Sequence, residues 1–383
     1  MINLFNVSFD HDIQKVVEDT LVSKAIASGA HVCQLESRLS DLFSEKYALT
    51  VNDMTNGITL LLDVFGLKKG DEVLVSPFSC LATTSPMALL GIKPVWVDIE
   101  PSTLAMNIKS IESNITKKTK AILVYHVAGY PSDIVEISKI AKKNNLLLIE
   151  DCNSAFGSKY RNKSLGSWGD ATVLSFYPNR QVGSIDGGCV LFKDKNHYEL
   201  AKLRRRYGVD FNDFRKVNGE INEAKDVETY GYSATINNVS AGIIMAKLPK
   251  YANEMLLTQK NVSKLNNVVM SLQNKYKGSI KLVTPLKDSC VNNWVYFVRV
   301  RNKESFMNEM KKKGVHVSSL HLRNDLYSCF HAERKHLTGV DIISDTLVAI
   351  PCGYWISEED IDIIGKYIEQ TLIFLVKNET SYN

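Results

Sequence analysis

The sequence lacks any cysteine or histidine pattern that would bind zinc or build a disulfide framework. Its seven cysteines stand singly, without a CxxC pair, so we expect most of them to be small buried apolar groups. No run reaches the ~18 apolar residues that a membrane-spanning helix needs, and the first residues do not form a secretory signal. We therefore expect a cytoplasmic protein without a metal site or a membrane partner.

A large excess of charge of one sign is also missing. Lysine and arginine number 46 against 42 aspartates and glutamates, a net charge of +4, which is too small to indicate a nucleic-acid partner. Hydrophobic residues make up 45% of the chain and charged residues 23%, as in ordinary globular proteins. One local exception is the basic stretch 202–206. A solvated helix face and a site for an anionic substrate group are both open interpretations of it.

Short β-rich runs alternate with amphipathic stretches between residues 47 and 192. The strand-like runs are 73–75, 95–97, 121–125, 146–149, 172–176 and 189–192, and the helix-like stretches are 58–65, 83–90 and 134–143. This alternation is typical of a mainly parallel sheet covered by helices. Right-handed crossovers would bring the loops that follow the strands to one sheet edge, where open α/β sheets bind ligands.

After residue 195 the pattern changes. A basic helix, a polar loop and a long helical stretch lead to a smaller α/β region with strands at 294–300 and 315–320 and helices at 304–313 and 358–371. We therefore predict two domains. Residues 1–240 would form a large cofactor- and substrate-binding domain, and residues 241–383 a linking helix and a small C-terminal α/β domain.

Several short motifs follow one another along nearly the whole chain. They are Lys69-Gly70-Asp71-Glu72-Val73, Pro94-Val95-Trp96-Val97-Asp98, Glu150-Asp151-Cys152, Ser175-Phe176-Tyr177-Pro178 and Asp186-Gly187-Gly188. In order and spacing they resemble the DegT/DnrJ/EryC1/StrS family of sugar aminotransferases, pyridoxal-phosphate enzymes of fold type I that act on nucleotide-linked keto sugars. The resemblance implies an α/β fold with a mainly parallel, seven-stranded sheet in a large domain, a smaller C-terminal α/β domain and a homodimer.

The resemblance assigns cofactor contacts to four residues. Asp151 stands where the family's aspartate pairs with the pyridinium nitrogen, and Ser175 where a serine donates to the cofactor phosphate. Asn56 and Gly57 match the start of the phosphate-binding turn that opens a helix. The alternative interpretation is that Asp151 is a strand-end carboxylate that caps the following turn.

Arg180 departs from the family pattern. In the family, the Ser-Phe-Tyr-Pro motif is followed by one residue and then by the lysine that binds the cofactor as a Schiff base. Here Asn179 is followed by Arg180, with Pro178 and Gly187 fixing the register on both sides. A guanidinium stays protonated, so it cannot attack an aldehyde or shuttle a proton. We expect Arg180 to bind an anionic ligand or to neutralise Asp151.

Four further family contacts have changed. Ile58 stands where the phosphate turn usually has threonine, and Cys80 where an aromatic ring stacks on the cofactor. Ser154 replaces the Gln or His that contacts the ring's phenolic oxygen, and Ser233 replaces an Asn that reaches across the dimer. The resemblance therefore leaves two alternatives open: pyridoxal phosphate held without a covalent link, or no cofactor.

Three other residues are candidates for substrate binding. We predict that His126, His321 and Arg323 line the cleft between the domains and meet the sugar or its diphosphate. The competing interpretations are that the histidines are structural and that residues 320–325 form a surface loop.

Three functions remain open. The first is an enzyme that modifies a nucleotide-linked sugar in surface-polysaccharide, O-antigen or deoxysugar biosynthesis, without conventional lysine-based transamination. The second is an active pyridoxal-phosphate nucleotide-sugar aminotransferase with unusual cofactor handling. The third is a non-catalytic binding or regulatory homologue.

Overall fold

The computed structural model describes residues 1–43, 46–330, 334 and 336–380, the last three by their backbone alone. The strands are β1 (Tyr47–Val51), β2 (Glu72–Val75), β3 (Lys93–Trp96), β4 (Thr119–Tyr125), β5 (Leu147–Asp151), β6 (Lys159–Tyr160), β7 (Lys163–Ser164), β8 (Ala171–Ser175), β9 (Gly188–Phe192), β10 (Ile280–Leu282), β11 (Ser289–Cys290), β12 (Tyr296–Val300) and β13 (Leu347–Ile350). The helices are α1 (His11–Val22), α2 (Ala30–Leu42), α3 (Met54–Val64), α4 (Leu81–Leu90), α5 (Ile108–Ser113), α6 (Ile134–Lys143), α7 (Lys195–Arg205), α8 (Asn238–Lys247), α9 (Tyr251–Lys275), α10 (Lys303–Lys312), α11 (Thr338–Thr346) and α12 (Glu358–Thr380).

The largest element is a seven-stranded sheet in the order β1-β9-β8-β5-β4-β2-β3. The strands from β8 to β3 run parallel, whereas β9 is antiparallel to both of its neighbours. Strands covered on both faces read as continuous apolar runs, and in β4 every side chain except Lys120 is buried. The predicted mainly parallel sheet of an α/β fold is therefore confirmed.

Amphipathic helices cover the sheet. In α6, Ile134, Ile137 and Ile140 recur at helical spacing and form one buried face. Burial of each such side chain stabilises the fold by about 1.5–3 kcal/mol. Asp133 caps this helix by accepting a backbone N–H of its first turn at 3.3 Å.

A smaller antiparallel sheet, β10-β12-β13, packs with α9, α10 and α12 around its own apolar core. The predicted strand at 294–300 corresponds to β12. The predicted strand at 315–320 is wrong: Val315 and Ser318 form only isolated bridges, and Leu320 has a φ of 58°. A left-handed backbone of this kind interrupts an extended strand.

The predicted domain boundary at residue 240 falls inside α8. Ala241 and Ile244 of this helix belong to the same apolar core as the strands of the large sheet, so α8 packs with the larger unit. A division between α8 and α9 would keep both helices whole. Among the helices described, none combines the length and apolarity needed to cross a membrane.

Candidate functional site

The carboxyl ends of β4, β5 and β8 bring the first candidate residues together. Tyr125 ends β4 and pairs in register with Asp151 at the end of β5, while Ser175 ends the next strand, β8. Parallel strands place such residues at one sheet edge. Asp151 and Ser175 therefore lie at the predicted ligand-binding edge, together with Tyr125, which sequence reasoning did not select. Its position as the last residue of an apolar parallel strand was an available signal.

Asp151 is fully buried. One carboxyl oxygen accepts a hydrogen bond from Thr83 Oγ1 at 2.7 Å and the other from the Asn153 backbone N–H at 2.9 Å. Burial raises the pKa of Asp151 above its usual value, and these hydrogen bonds and the charge of Arg180 oppose that rise only in part. Asp151 is therefore poised to accept a proton or a cationic partner.

Arg180 lies in the loop between β8 and β9. Its guanidinium carbon is 4.3 Å from the centre of the Trp294 ring, and Nη1 donates to Asn179 Oδ1 at 3.0 Å. Trp294 is itself held by a hydrogen bond from Nε1 to the Asn179 carbonyl at 2.7 Å and by stacking on Phe5 at 4.7 Å. A cation over an indole face is attracted electrostatically, so the orientation of Arg180 is well determined.

The guanidinium of Arg180 is incompletely paired. Its buried Nε has no hydrogen-bond partner within the described part of the chain. Burial lowers the pKa of Arg180, but a guanidinium remains charged at neutral pH. No ion pair joins Arg180 to Asp151. The expected neutralisation of Asp151 is therefore limited to the charge of Arg180 acting at a distance, which lowers the pKa of Asp151.

Tyr125, His321 and Ser154 form a polar cluster beside Arg180. The Tyr125 hydroxyl is 3.1 Å from His321 Nε2 and 3.4 Å from Ser154 Oγ. Burial, together with the charge of Arg180, lowers the pKa of His321 to about 3. Burial raises the pKa of Tyr125. Both side chains are therefore neutral near pH 7, and the cluster offers hydrogen bonds rather than charge. His321 and Ser154 thus lie beside Tyr125 at the sheet edge, and their contacts with a ligand stay predictions.

Asp53 caps the turn that opens α3. The helix begins at Met54, and Asp53 caps it by accepting the Asn56 backbone N–H at 2.8 Å. Gly57 already lies inside the helix, where an added Cβ would come within 3.0 Å of the side chain of Val51. Asn56 therefore lies in the first turn of α3, as the resemblance assigned it, and Gly57 follows directly, with its N–H donating to the Asp53 carbonyl at 3.1 Å.

Ile58, in contrast, is fully buried in the apolar core. It does not stand at the opening turn. Thr55 does, and its side chain is half-buried there, so a hydroxyl donor that the sequence appeared to lack is present. The carboxylate of Asp53 shares this turn, and its charge helps to raise the pKa of Asp186, for which burial is the larger cause.

Cys80 and Ser233 occupy different places. Cys80 immediately precedes α4, is half-buried, and lies near enough to Tyr125 and Arg180 to influence their pKa values. Ser233 accepts hydrogen bonds from Arg206 Nη1 at 3.0 Å and Tyr207 Oη at 3.2 Å near the surface. Cys80 therefore borders the site, whereas Ser233 makes no described contact with the Asp151 cluster.

His126 does not reach this site. It is fully buried, its Nδ1 accepts the Ser132 backbone N–H at 3.2 Å, and its Nε2 is 3.2 Å from Glu150. Because Nδ1 is an acceptor, Nε2 carries the proton and donates to Glu150. The predicted substrate contact is wrong, because the ring is committed to this internal network. With Cys152 the two residues are close enough to hold a metal ion, but His126 Nδ1 and both Glu150 carboxyl oxygens already accept hydrogen bonds.

Arg323 is also structural. Its Nε and Nη2 donate to the Asp325 carboxylate at 2.9 and 2.6 Å, and Nη1 pairs with Asp341. The residue is only 3% exposed. Its predicted contact with substrate is therefore wrong, because its donors are used to hold the loop before α11 in place.

Arg204 and Arg205 of the basic stretch 202–206 form neither a solvated helix face nor a site for an anionic substrate group. Arg204 pairs with Asp63 at 3.1 Å and Arg205 with Glu36 at 2.6 Å, and all four side chains are at most 20% exposed. These pairs fasten α7 to α3 and α2. They are therefore not available to an anionic substrate.

The sheet order and the cluster at its carboxyl edge define the α/β fold of the pyridoxal-phosphate aminotransferases. The structure matches a sugar aminotransferase, CalS13 of Micromonospora echinospora, with a TM-score of 0.86 and 26% identity over 97% of this chain and 100% of that one. It also matches NtdA of Bacillus subtilis with bound cofactor PMP, with a TM-score of 0.84 and 22% identity over 94% and 81% of the two chains.

The chain belongs to the DegT/DnrJ/EryC1/StrS aminotransferase family, whose sequence model matches residues 7–369. Among curated relatives, the UDP-2-acetamido-2-deoxy-3-oxo-D-glucuronate aminotransferase of Pseudomonas aeruginosa is 30% identical over 75% of this chain and 75% of its own length. The family thus includes enzymes named for nucleotide-linked sugars.

Proposed function

We propose that this chain modifies a nucleotide-linked sugar in surface-polysaccharide, O-antigen or deoxysugar biosynthesis without forming an imine between a cofactor and an enzyme lysine. Family membership and the relative named for a UDP-sugar support the substrate class. Arg180 carries the rest of the proposal: it lies near Asp151, and the loop between β8 and β9 contains no lysine. A guanidinium has no free lone pair for imine formation.

Pyridoxal phosphate is the cofactor that the family implies. The site offers partners for its ring nitrogen and its phosphate but not for its aldehyde carbon. Asp151 is buried without a cation in ion-pairing contact among the described residues, so it fits the ring nitrogen. Thr55, Ser175 and the N-terminus of α3 offer donors to a phosphate, although Asp53 shares that turn. No lysine of the β8–β9 loop bonds the aldehyde carbon. A cofactor would therefore be held non-covalently, where it would supply an electron sink.

The remaining groups bind and orient a ligand. Arg180 is held against Trp294 and keeps its charge, so it attracts an oxyanion. Tyr125 and His321 are neutral near pH 7 and share one hydrogen bond. They position a polar ligand rather than exchange protons with it.

Borohydride reduction tests the proposal. The purified protein is incubated with pyridoxal phosphate, reduced, digested and analysed by mass spectrometry, with Arg180→Lys as a control in which an imine is chemically allowed. We expect only substoichiometric adducts scattered over exposed lysines of the unaltered chain, and cofactor that is lost on gel filtration. A stoichiometric adduct on one lysine of that chain would contradict the proposal and favour an active, conventional aminotransferase.

We also propose a homodimer, as the family architecture implies. Large apolar side chains are exposed on the segment 207–230 and on the β8–β9 loop, among them Phe211, Ile221, Tyr177 and Ile185. Exposed apolar groups of this kind are typical of interfaces. Sedimentation should give about twice the chain mass of 43.0 kDa. A strictly monomeric mass would contradict the proposal.

A further inference from the structure

The segments that lead into β5, β4, β2 and β3 lie together at one edge of the large sheet. These four strands are neighbours and run parallel, so their first residues lie at the edge opposite the Asp151 site. Backbone hydrogen bonds join the segments: the Glu72 N–H donates to the Lys118 carbonyl at 3.0 Å, and the Lys93 N–H to the Asp71 carbonyl at 2.9 Å. We call the exposed lysines of these segments the lysine edge; they are Lys68, Lys69, Lys93, Lys117, Lys118, Lys120, Lys142 and Lys143.

The charge of the lysine edge is largely uncompensated. Lys93 pairs with Glu72 at 3.1 Å, whereas the other seven lysines form no ion pair with any residue that the structure describes. The remaining carboxylates of these segments are Asp71, which accepts the Lys68 backbone N–H at 3.0 Å, and the exposed Glu112 of α5. Eight lysines against three carboxylates leave five excess positive charges, more than the +4 of the whole chain. This concentration of one sign of charge attracts an anionic partner.

The composition of this edge indicates which kind of anionic partner fits. Residues 66–72, 91–94, 111–121 and 141–147 contain no arginine and no aromatic residue. Arginine is the residue suited to bidentate contacts with phosphate, and aromatic rings stack on nucleic-acid bases. Lysine acts instead as a flexible point charge, and clusters of lysine attract the anionic leaflet of a membrane. The composition therefore favours a lipid surface over a nucleic acid.

Leu89 adds an exposed apolar group beside the lysines. It lies in the last turn of α4 and is 74% exposed. Two residues later, the Gly91 carbonyl accepts the Gly70 N–H at 3.0 Å, and a Cβ on Gly91 would come within 3.0 Å of the Lys69 side chain. Leu89 therefore lies at the same edge as Lys69. An apolar side chain next to cations is typical of surfaces that bind at the bilayer interface, where the apolar group enters the boundary with the acyl chains.

We propose that the lysine edge and Leu89 bind the surface of a bilayer that contains anionic lipids. The contact is peripheral, because none of the described helices could span a membrane. The lack of a spanning segment, from which the sequence predicts no membrane partner, has no bearing on association with the bilayer surface. Since the Asp151 site lies at the opposite sheet edge, it stays open to solvent in this orientation. Binding to the bilayer does not require the proposed sugar chemistry.

Co-sedimentation with lipid vesicles tests this proposal. The purified chain is mixed at about 0.1 M salt with vesicles of phosphatidylcholine and phosphatidylglycerol, or of phosphatidylcholine alone. We expect binding at least about 10-fold tighter to the vesicles with phosphatidylglycerol, and its loss at about 1 M salt, where the Debye length falls from about 10 to 3 Å. Equal binding to both kinds of vesicle, or no binding to either, would overturn the proposal. Binding to a duplex oligonucleotide without binding to the anionic vesicles would overturn it in favour of a nucleic-acid partner.

Uncharged variants assign the binding to this edge. Lys117→Gln, Lys118→Gln and Lys142→Gln combined should weaken binding to the anionic vesicles roughly 100-fold, because each lysine near such a surface contributes about 5-fold. All three side chains are exposed, so the Tm should stay at the wild-type value and report a folded protein.

A matched control removes the same charge elsewhere. Lys277→Gln, Lys281→Gln and Lys287→Gln combined lie on and beside β10, where the three lysines are exposed. This variant should weaken vesicle binding by less than about 3-fold, because these residues lie in the smaller α/β region, away from the lysine edge. Equal losses in the two triple variants would overturn the proposal, since binding would then follow net charge alone.

Leu89→Gln tests the apolar part of the contact. Removing an inserted leucine should weaken binding to the anionic vesicles about 10-fold without changing its dependence on salt. An unchanged affinity would overturn the assignment of Leu89 to the membrane-binding surface.

Discussion

Glu150 and Asp151 are consecutive, fully buried carboxylates at the end of β5, yet their surroundings differ. Neighbouring side chains of a strand point to opposite faces. Glu150 accepts three backbone N–H groups within residues 166–169 at 2.7–2.8 Å and is also paired with His126. Burial would raise its pKa, but the hydrogen bond from His126, nearby positive charge and these N–H donors hold the pKa of Glu150 below its usual value.

Asp151 has fewer donors and no contacting cation among the residues that the structure describes, and burial raises its pKa. This difference in hydrogen bonding and pKa identifies Glu150 as the structural carboxylate of the two. A saturated carboxylate stabilises the fold in its ionised form, whereas an incompletely compensated one retains the capacity to bind something else.

Glu150→Ala should have the largest effect on stability. The substitution leaves His126 and the backbone N–H groups of 166–169 buried without an acceptor, so we expect the free energy of unfolding to fall by about 3–5 kcal/mol. Chemical denaturation followed by circular dichroism measures the change. A loss below about 1 kcal/mol would show that the network contributes little.

Asp151→Asn should change stability far less and in a pH-dependent direction. The folded-state pKa of Asp151 is raised, so the folded protein binds its proton more tightly than the unfolded chain does. Wild-type stability due to this group is greatest below about pH 4 and is lost as pH rises toward the folded-state pKa. The variant should therefore gain stability relative to wild type between about pH 4 and 7. Denaturation curves at several pH values check this, and a relative loss over that window would contradict it.

The opposite sign is expected for Glu150. Its folded-state pKa is lowered, so its contribution is present above the unfolded-state pKa and is lost as pH falls through the folded-state value. Comparison of wild type with Glu150→Gln below about pH 4.5 tests this sign. A stability difference that does not shrink on acidification would break the contrast between the two carboxylates.

Trp294→Phe should have a smaller effect. The substitution keeps an aromatic ring against Arg180 but removes the hydrogen bond from Nε1 to the Asn179 carbonyl. We expect a loss of about 1 kcal/mol in unfolding free energy and weaker binding of anionic ligands, because Arg180 is less firmly held. Thermal denaturation and ligand titration measure the two effects, and an unchanged Tm with unchanged binding would show that Trp294 does not position Arg180.

Arg180→Lys alone should restore little or no amino transfer. The lysine would supply an amine, but Cys80 offers no stacking ring and Asp53 still places a carboxylate at the turn that opens α3. Spectrophotometric assay of amino transfer from an amino acid, with Arg180→Gln as the control, tests this. Substantial turnover by the lysine variant would show that the rest of the pocket is intact for conventional transamination.

Much of the site edge could be predicted from local patterns. Asp151, Ser175 and Cys80 follow or precede recognisable elements, and their positions in the sheet follow from the order of strands. The opening turn of α3 was located by Asn56 and Gly57, but the capping role of Asp53, three residues before Asn56, was not predicted. His126 was misjudged because sequence does not show which face of a strand end a side chain enters.

By itself, the sequence determined the family, the mainly parallel sheet and the presence of an arginine where relatives of this chain are expected to have lysine, since each depends on the order of residues along the chain. Only the tertiary structure decided that Arg323 is paired, that Tyr125 contacts His321 and that the segments carrying the lysine edge lie together. These are contacts between residues distant in sequence, and packing, rather than local periodicity, brings them together.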